Sequence, residues 1–180
     1  MKNLILLLAC LLVASSSHSQ NTEPERGVFS GSIETNFNYF QKDSLIGAIN
    51  IPQYDRLLTG GEMWLNLNYN IKGYDVGVRF DMFQNSNLLN PLGSYSDQGI
   101  GRWFIKRTQD KLTLEAGYLY DQIGSGIIYQ AYEVRPQLID NALYGGAVSY
   151  QLMENLKLKA FTGKQKQQFS TIEGSIRGAY

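Results

Sequence analysis

Glu133, Arg135 and Asp140 form the sharpest cluster of ionisable side chains in the sequence, in a stretch that also holds Gly124 and Gly126. Two carboxylates beside a guanidinium suit two chemistries. They can hold a cation or a small ligand, or they can pair with each other and pin a connection that folds over or into the molecule. A calcium loop needs a denser, more regular series of oxygen ligands, so pinning is the expectation. Catalysis has less to work with. Cys10 is the only cysteine and His18 the only histidine, and both fall in a stretch expected to be removed. Without them there is no thiolate, no imidazole base and no disulfide, and the usual zinc ligands are missing too. No carboxylate pair is placed by spacing for acid–base work. Gly60-Gly61, Gly99-x-Gly101 and Gly145-Gly146 are not phosphate loops, because none leads from a strand into a helix. The chain is expected to be no enzyme and to carry neither cofactor nor metal.

The elements that must position the cluster follow from a hairpin between Glu62 and Phe83. Met63, Leu65, Leu67, Tyr69 and Ile71 alternate with Glu62, Trp64, Asn66, Asn68 and Asn70. A period of two separates these residues onto two faces only in an extended chain. After Lys72-Gly73 the alternation restarts, with Tyr74, Val76, Val78, Phe80 and Met82 against Asp75, Gly77, Arg79, Asp81 and Phe83. The same reading predicts strands over about 28–40, 100–107, 112–120, 143–152, from 156 on, and 171–180.

The connections alternate in length: long (41–60), short (72–73), long (84–99), short (108–110), long (121–142), short (153–155), medium (165–170). Transmembrane barrels have short turns at one end and long loops at the other, and a chain entering from the periplasm makes a long connection first. The charges give a separate check. Glu34, Glu62, Asp75, Arg79, Asp81, Arg102, Lys106, Glu115, Lys157, Lys159, Glu173 and Arg177 all fall in phase opposite the apolar face and are expected to face a lumen. A charge facing lipid at mid-membrane costs about 2–4 kcal/mol. Aromatic residues near strand ends (Phe37, Tyr39, Tyr69, Tyr74, Tyr118, Tyr120 and Tyr150) fit interfacial girdles. The predicted fold is all-β, an antiparallel up-and-down transmembrane β-barrel of about eight strands, possible also as an incomplete part of a larger barrel. A soluble β-sandwich shows the same alternation and stays the alternative fold.

Sixteen basic and sixteen acidic residues cancel, which leaves no electrostatic case for nucleic acid. Met1-Lys2-Asn3, the apolar Leu4 to Val13 and the small residues up to Ser19 have the layout of a secretory signal. The expected organisation is a signal peptide over 1–19, cleaved near Ser19/Gln20, a short polar lead over 20–27, and the β-barrel over 28–180. Reading Cys10 as a lipidated cysteine would put Leu8 where a smaller residue is usual.

The segment from Tyr120 to Gly145 resembles part of an uncharacterised outer-membrane β-barrel family of bacteroidete-type Gram-negative bacteria. The matching positions are Gly124, Gly126, Tyr132, Glu133, Arg135, Ile139, Asp140 and Gly145; Val134 replaces a second acidic residue. The resemblance implies an outer-membrane barrel and supplies no activity. Members of that family are longer, which with Gly178 in the place of a large apolar residue makes an N-terminal part of a wider barrel the expectation. The expected location is the outer membrane of a Gram-negative bacterium, with outer-membrane lipid as the surrounding partner. The expected function is a porin-like or transport-associated barrel that passes small solutes. The alternatives are a non-conducting surface barrel whose loops bind a protein or glycan, and a secreted soluble binding module.

Overall fold

The computed structural model of the chain describes residues 26–89 and 92–180. The expected leader, with Cys10 and His18, and most of the polar lead lie outside the described residues. Strand β1 (Val28–Tyr39) leads into a long connection with a single π-helical turn at Gln53–Leu57. Strands β2 (Thr59–Ile71) and β3 (Tyr74–Ser86) form the hairpin, followed by β4 (Tyr95–Gln109) and β5 (Leu112–Leu119). The next connection holds two small hairpins, β6 (Asp121–Gln122) with β7 (Gln130–Ala131), and β8 (Glu133–Val134) with β9 (Ile139–Asp140). Strands β10 (Leu143–Met153), β11 (Leu156–Gln167), β12 (Ser170–Thr171) and β13 (Ile176–Ala179) complete the order.

All the long strands lie in one antiparallel sheet, ordered β1-β2-β3-β4-β5-β10-β11-β12, with β13 also pairing β11. Short turns gather at one end of this sheet and long connections at the other. Turn chemistry explains the register of the central hairpin. Lys72 (φ 46°) and Gly73 (φ 77°) both take positive φ, the combination of a type I′ turn whose twist matches that of the flanking strands. Among the described residues no helix is long and apolar enough to cross a membrane.

Two features depart from the sequence reading. The sheet is open: β1 pairs only with β2, and no described strand joins it to β11 or β13. The predicted last strand is also broken. Gly174 at φ 118° interrupts the extended chain, so Glu173 lies in a bend outside the strands. The short β13 that follows has the opposite phase. Arg177 stands opposite Thr162 and Gly178 opposite Phe161, which puts Ile176 against the interior cluster of Leu119, Leu143 and Phe161. Arg177 therefore falls on the outward face and Glu173 on neither, in contrast to the lumen-facing positions expected for them. A simple alternation count cannot register the residues lost in the bend.

The sheet curls strongly. Strands β4 and β11 are three ladder spacings apart, about 14 Å in a flat sheet. Yet the Lys166 ammonium on β11 bonds the Gly101 carbonyl on β4. The β4–β5 ladder stops at Phe104 and Gly117 while β4 runs on beside β3 to Tyr95. Gly101 is thus beyond the reach of β5, and the lysine satisfies a carbonyl that the ladder leaves over.

The turn can be tested directly. A Cβ on residue 73 would lie 2.6 Å from the Thr108 carbonyl oxygen, at a positive φ. Gly73→Ala is expected to lower the unfolding free energy by more than about 1 kcal/mol, read as a lower urea midpoint at unchanged slope.

Candidate functional site

Arg79 is the centre of the site. Its even-numbered neighbours Val78 and Phe80 face outward, so the guanidinium points to the inner face, where it is 2% exposed. It donates from Nε to Asp81 Oδ1 at 2.6 Å and from Nη2 to Asp81 Oδ2 at 2.9 Å. This is a bidentate pair between residues that share one face of β3. Nη1 meets Glu133 at 2.7 Å and Nη2 lies 3.6 Å from Asp140. Asp140 also bonds the Lys166 ammonium and accepts from the Tyr120 hydroxyl at 2.9 Å. Asp81 presses so closely on β4 that a Cβ on Gly101 would fall 1.8 Å from its Oδ2. Only glycine fits there.

The connection over 121–142 is consequently folded inward and held at two places. Its second hairpin, β8–β9, supplies Glu133 and Asp140 to the ion cluster. Its first hairpin, β6–β7, lies on β11: Tyr129 stacks on Phe161 with ring centroids 4.7 Å apart, Ile123 joins the same apolar cluster, and Asp121 meets the Lys159 ammonium at 2.5 Å. Arg135 bridges outward. Its Nη1 donates to Glu34 on β1 at 2.7 Å, its Nε lies 3.6 Å from Glu133, and its guanidinium sits 6.0 Å from the Trp64 ring. The cavity left beside the cluster is about 40 Å³, lined by Trp64, Arg79, Asp81, Glu133, Asp140 and Lys166 among others. That is room for about three waters, and too little for an organic ligand.

Residues 1–180 match the family of unknown function DUF6029. The chain belongs to that family. No curated protein and no solved structure matches it.

In this DUF6029 chain the structure brings Glu133, Arg135 and Asp140 into one network with Arg79, Asp81 and Glu34. Glu62 is buried elsewhere on the inner face, where its oxygens accept from Asn36 Nδ2 at 2.9 Å and from the Ser86 hydroxyl. Arg102 stacks between the Phe104 and Tyr120 rings, 4.8 Å from each centroid. Asp75, Lys106 and Glu115 stand nearer the short turns, with Asp75 opposite Lys106 and Lys106 opposite Glu115 in the ladders. Lys157 lies on β11 near its turn and is exposed. Lys166, Asp121 and Tyr120 take part without having been singled out as site residues. Lys166 lies at the end of β11, where its amide bonds the Ala142 carbonyl two residues after Asp140, so the β10–β11 register brings it to that carboxylate and the curl brings it to Gly101.

Two groups on the inward connection have shifted ionisation. Burial, then the charge of Asp140, pushes the Tyr120 hydroxyl far above the usual tyrosine range. Burial opposes ionisation of Asp121, but the Lys159 ammonium and the Tyr180 hydroxyl outweigh it and hold the carboxyl below the usual range.

These contacts fix two outcomes. Arg79→Met leaves Asp81 buried beside a lost cation and is expected to cost about 3–5 kcal/mol, measured by denaturant unfolding. Arg79→Met with Asp81→Leu should recover part of that loss, because Asp81 no longer strands a charge while Glu133 still loses its nearest cation. The Asp121 carboxyl is lowered on docking, so its contribution is present above the unfolded value of about 3.9 and fades as pH falls through the lower folded one. Hydrogen-exchange protection of the Ile123 and Gly126 amides, bonded within this hairpin, is therefore expected to stay level from about pH 8 to 5 and to drop below about pH 3.9. Loss of protection near pH 6 would contradict the assignment.

Proposed function

We propose that this DUF6029 chain is a wall of an outer-membrane β-barrel, porin-like or transport-associated, that admits small solutes past an inward-folded loop. One observation carries the reading: the polarity of the sheet is inverted. The charged face is the buried one, with Glu62, Arg79 and Asp81 at 2–4% exposure, while Val78, Leu114, Val148 and Leu158 on the other face are 39–50% exposed. Water drives the opposite arrangement, since large contiguous apolar surface on a soluble protein is costly and unusual. Hydrocarbon favours the observed one.

The dimensions agree. Phe29 and Tyr39 mark the two ends of β1 on the outward face, about 34 Å apart at 3.4 Å per residue. Tilted by about 40°, that span is about 26 Å, close to the apolar band of such barrels. Tyr69, Tyr74 and Tyr150 cluster near the short turns, and Phe37, Tyr39 and Tyr144 near the long connections, as two aromatic girdles would. The reading carries a demand: an unpaired strand edge in hydrocarbon costs several kcal/mol per backbone group, so in a bilayer the free edge of β1 must be paired by another strand of the same alternation.

The loop-filled interior around Arg79 favours the second reading, a non-conducting surface barrel. Leu45 and Ile46, 95% and 78% exposed in the first long connection, would then face a protein or glycan. Silence in a planar bilayer would select it over a pore.

The membrane reading is tested by extraction and by substitution. The protein is expected to resist carbonate and to need detergent for release. Val78→Arg and Val148→Arg are expected to cost about 2–4 kcal/mol each in lipid. In water the same substitutions would fall within about 0.5 kcal/mol, so a small effect in reconstituted protein would overturn the proposal.

A further inference from the structure

The inward connection meets the inner face at its long-connection end, from β3 to β11, and leaves the part nearest the free edge open. There Ser30, Ser32 and Asn36 on β1 and Asn70 on β2 are exposed, with Asn66 and Asn68 half-exposed. The ladder puts Ser30 opposite Asn68 and Ser32 opposite Asn66, and Asn66 Nδ2 reaches the Ser32 hydroxyl at 3.5 Å. The result is a two-strand strip of carboxamides and hydroxyls running along the barrel wall.

Most charges beside this strip are paired or buried, and at the short-turn end Asp75, opposite Asn70, stands opposite Lys106 in the next ladder. Glu34 is met by Arg135 at 2.7 Å. Glu62 is 3% exposed, with both oxygens accepting hydrogen bonds. The rest of the ionic network closes on itself around Arg79. A solute moving along the strip meets groups that each offer a donor and an acceptor, and meets no row of like charge.

We propose that the solute path runs along this β1–β2 strip and selects neutral polyhydroxy solutes, small sugars, over ions of either sign. The inference rests on the membrane reading above and names the solute class for it. A sugar hydroxyl both donates and accepts, so it exchanges water for carboxamide and hydroxyl partners at each step. Many shallow sites of this kind allow entry without trapping, the condition for passage. An ion gains no compensating charge there and keeps only the desolvation cost.

The experiment uses the natural full-length protein purified in detergent and reconstituted in phospholipid vesicles. Osmotic swelling is followed with arabinose and with sucrose, and the reversal potential is measured across a bilayer under a potassium chloride gradient. Sugar-dependent swelling with a reversal potential near zero is the expected result. Asn66→Leu with Asn68→Leu should slow swelling severalfold, and Asn68→Asp should move the reversal potential towards cation preference. A protein that inserts yet gives no swelling, a wild-type channel with strong charge preference, or variants that leave both readouts unchanged would overturn the inference alone. A protein released by carbonate would overturn the membrane reading and this inference with it. The variants' heat-shifted migration in gels, if kept, shows that they fold.

Discussion

A guanidinium taken out of water must find carboxylates, and Arg79 finds three. Desolvating such a group costs several kcal/mol, and its partners have to arrive from wherever the chain can bring them. Asp81 comes from the same face of the same strand. Glu133 and Asp140 come from a connection more than fifty residues further on. The connection is held inward for that reason: looped outward, it would leave Arg79 with Asp81 alone and take Asp140 from Lys166. The inward fold of residues 121–142 is thus as much a consequence of β3 as of its own sequence.

The same requirement accounts for the inverted polarity. Strands sort their side chains by alternation alone, and alternation does not say which face meets which medium. The balance is set where one face satisfies most of its charges internally and the other is mostly apolar, with Arg107, Lys164 and Arg177 as its charged exceptions. On this sheet the polar face closes a network of ion pairs, hydrogen bonds and ring contacts, while Val78, Leu114, Val148 and Leu158 gain no cover from the described residues. Under the proposed membrane placement, a solvent that welcomes apolar surface is the medium in which both faces are satisfied.

Much of the fold was legible because strands write period two into sequence and tight turns write their backbone angles into residue choice. The Lys72-Gly73 turn, the hairpin around it and the sequential order of the long strands could all be read. Glu133, Arg135 and Asp140 could be singled out as the charged groups of the connection, but their closest partners, Arg79, Glu34 and Lys166, lie on distant strands and not within the cluster. The phase of β13 could not be read, because the bend at Gly174 resets it. Nor could the contact of Lys166 with the Gly101 carbonyl, which depends on the curl of the sheet and on where β4 parts from β5. Curl and splay are sums of small twists over many residues, and no local pattern records them.

That splay also bears on the proposed solute path. Between β4 and β5 the ladder ends at Phe104 and Gly117, and beyond that point Lys166, held by Asp140, bonds the carbonyl of Gly101. Asp140 belongs to the inward connection, so the connection helps to complete the wall as well as to fill the space behind it. Drawing it out would strip Arg79 of Glu133 and Lys166 of Asp140 together, and would open the sheet where its own ladder is missing. A path that needed the connection to leave would have to unfold part of the wall each time. The proposed path beside it, along Ser30, Ser32, Asn66 and Asn68, meets the Arg135–Glu34 bridge, which stands on β1 between Ser32 and Asn36 with its guanidinium over Trp64.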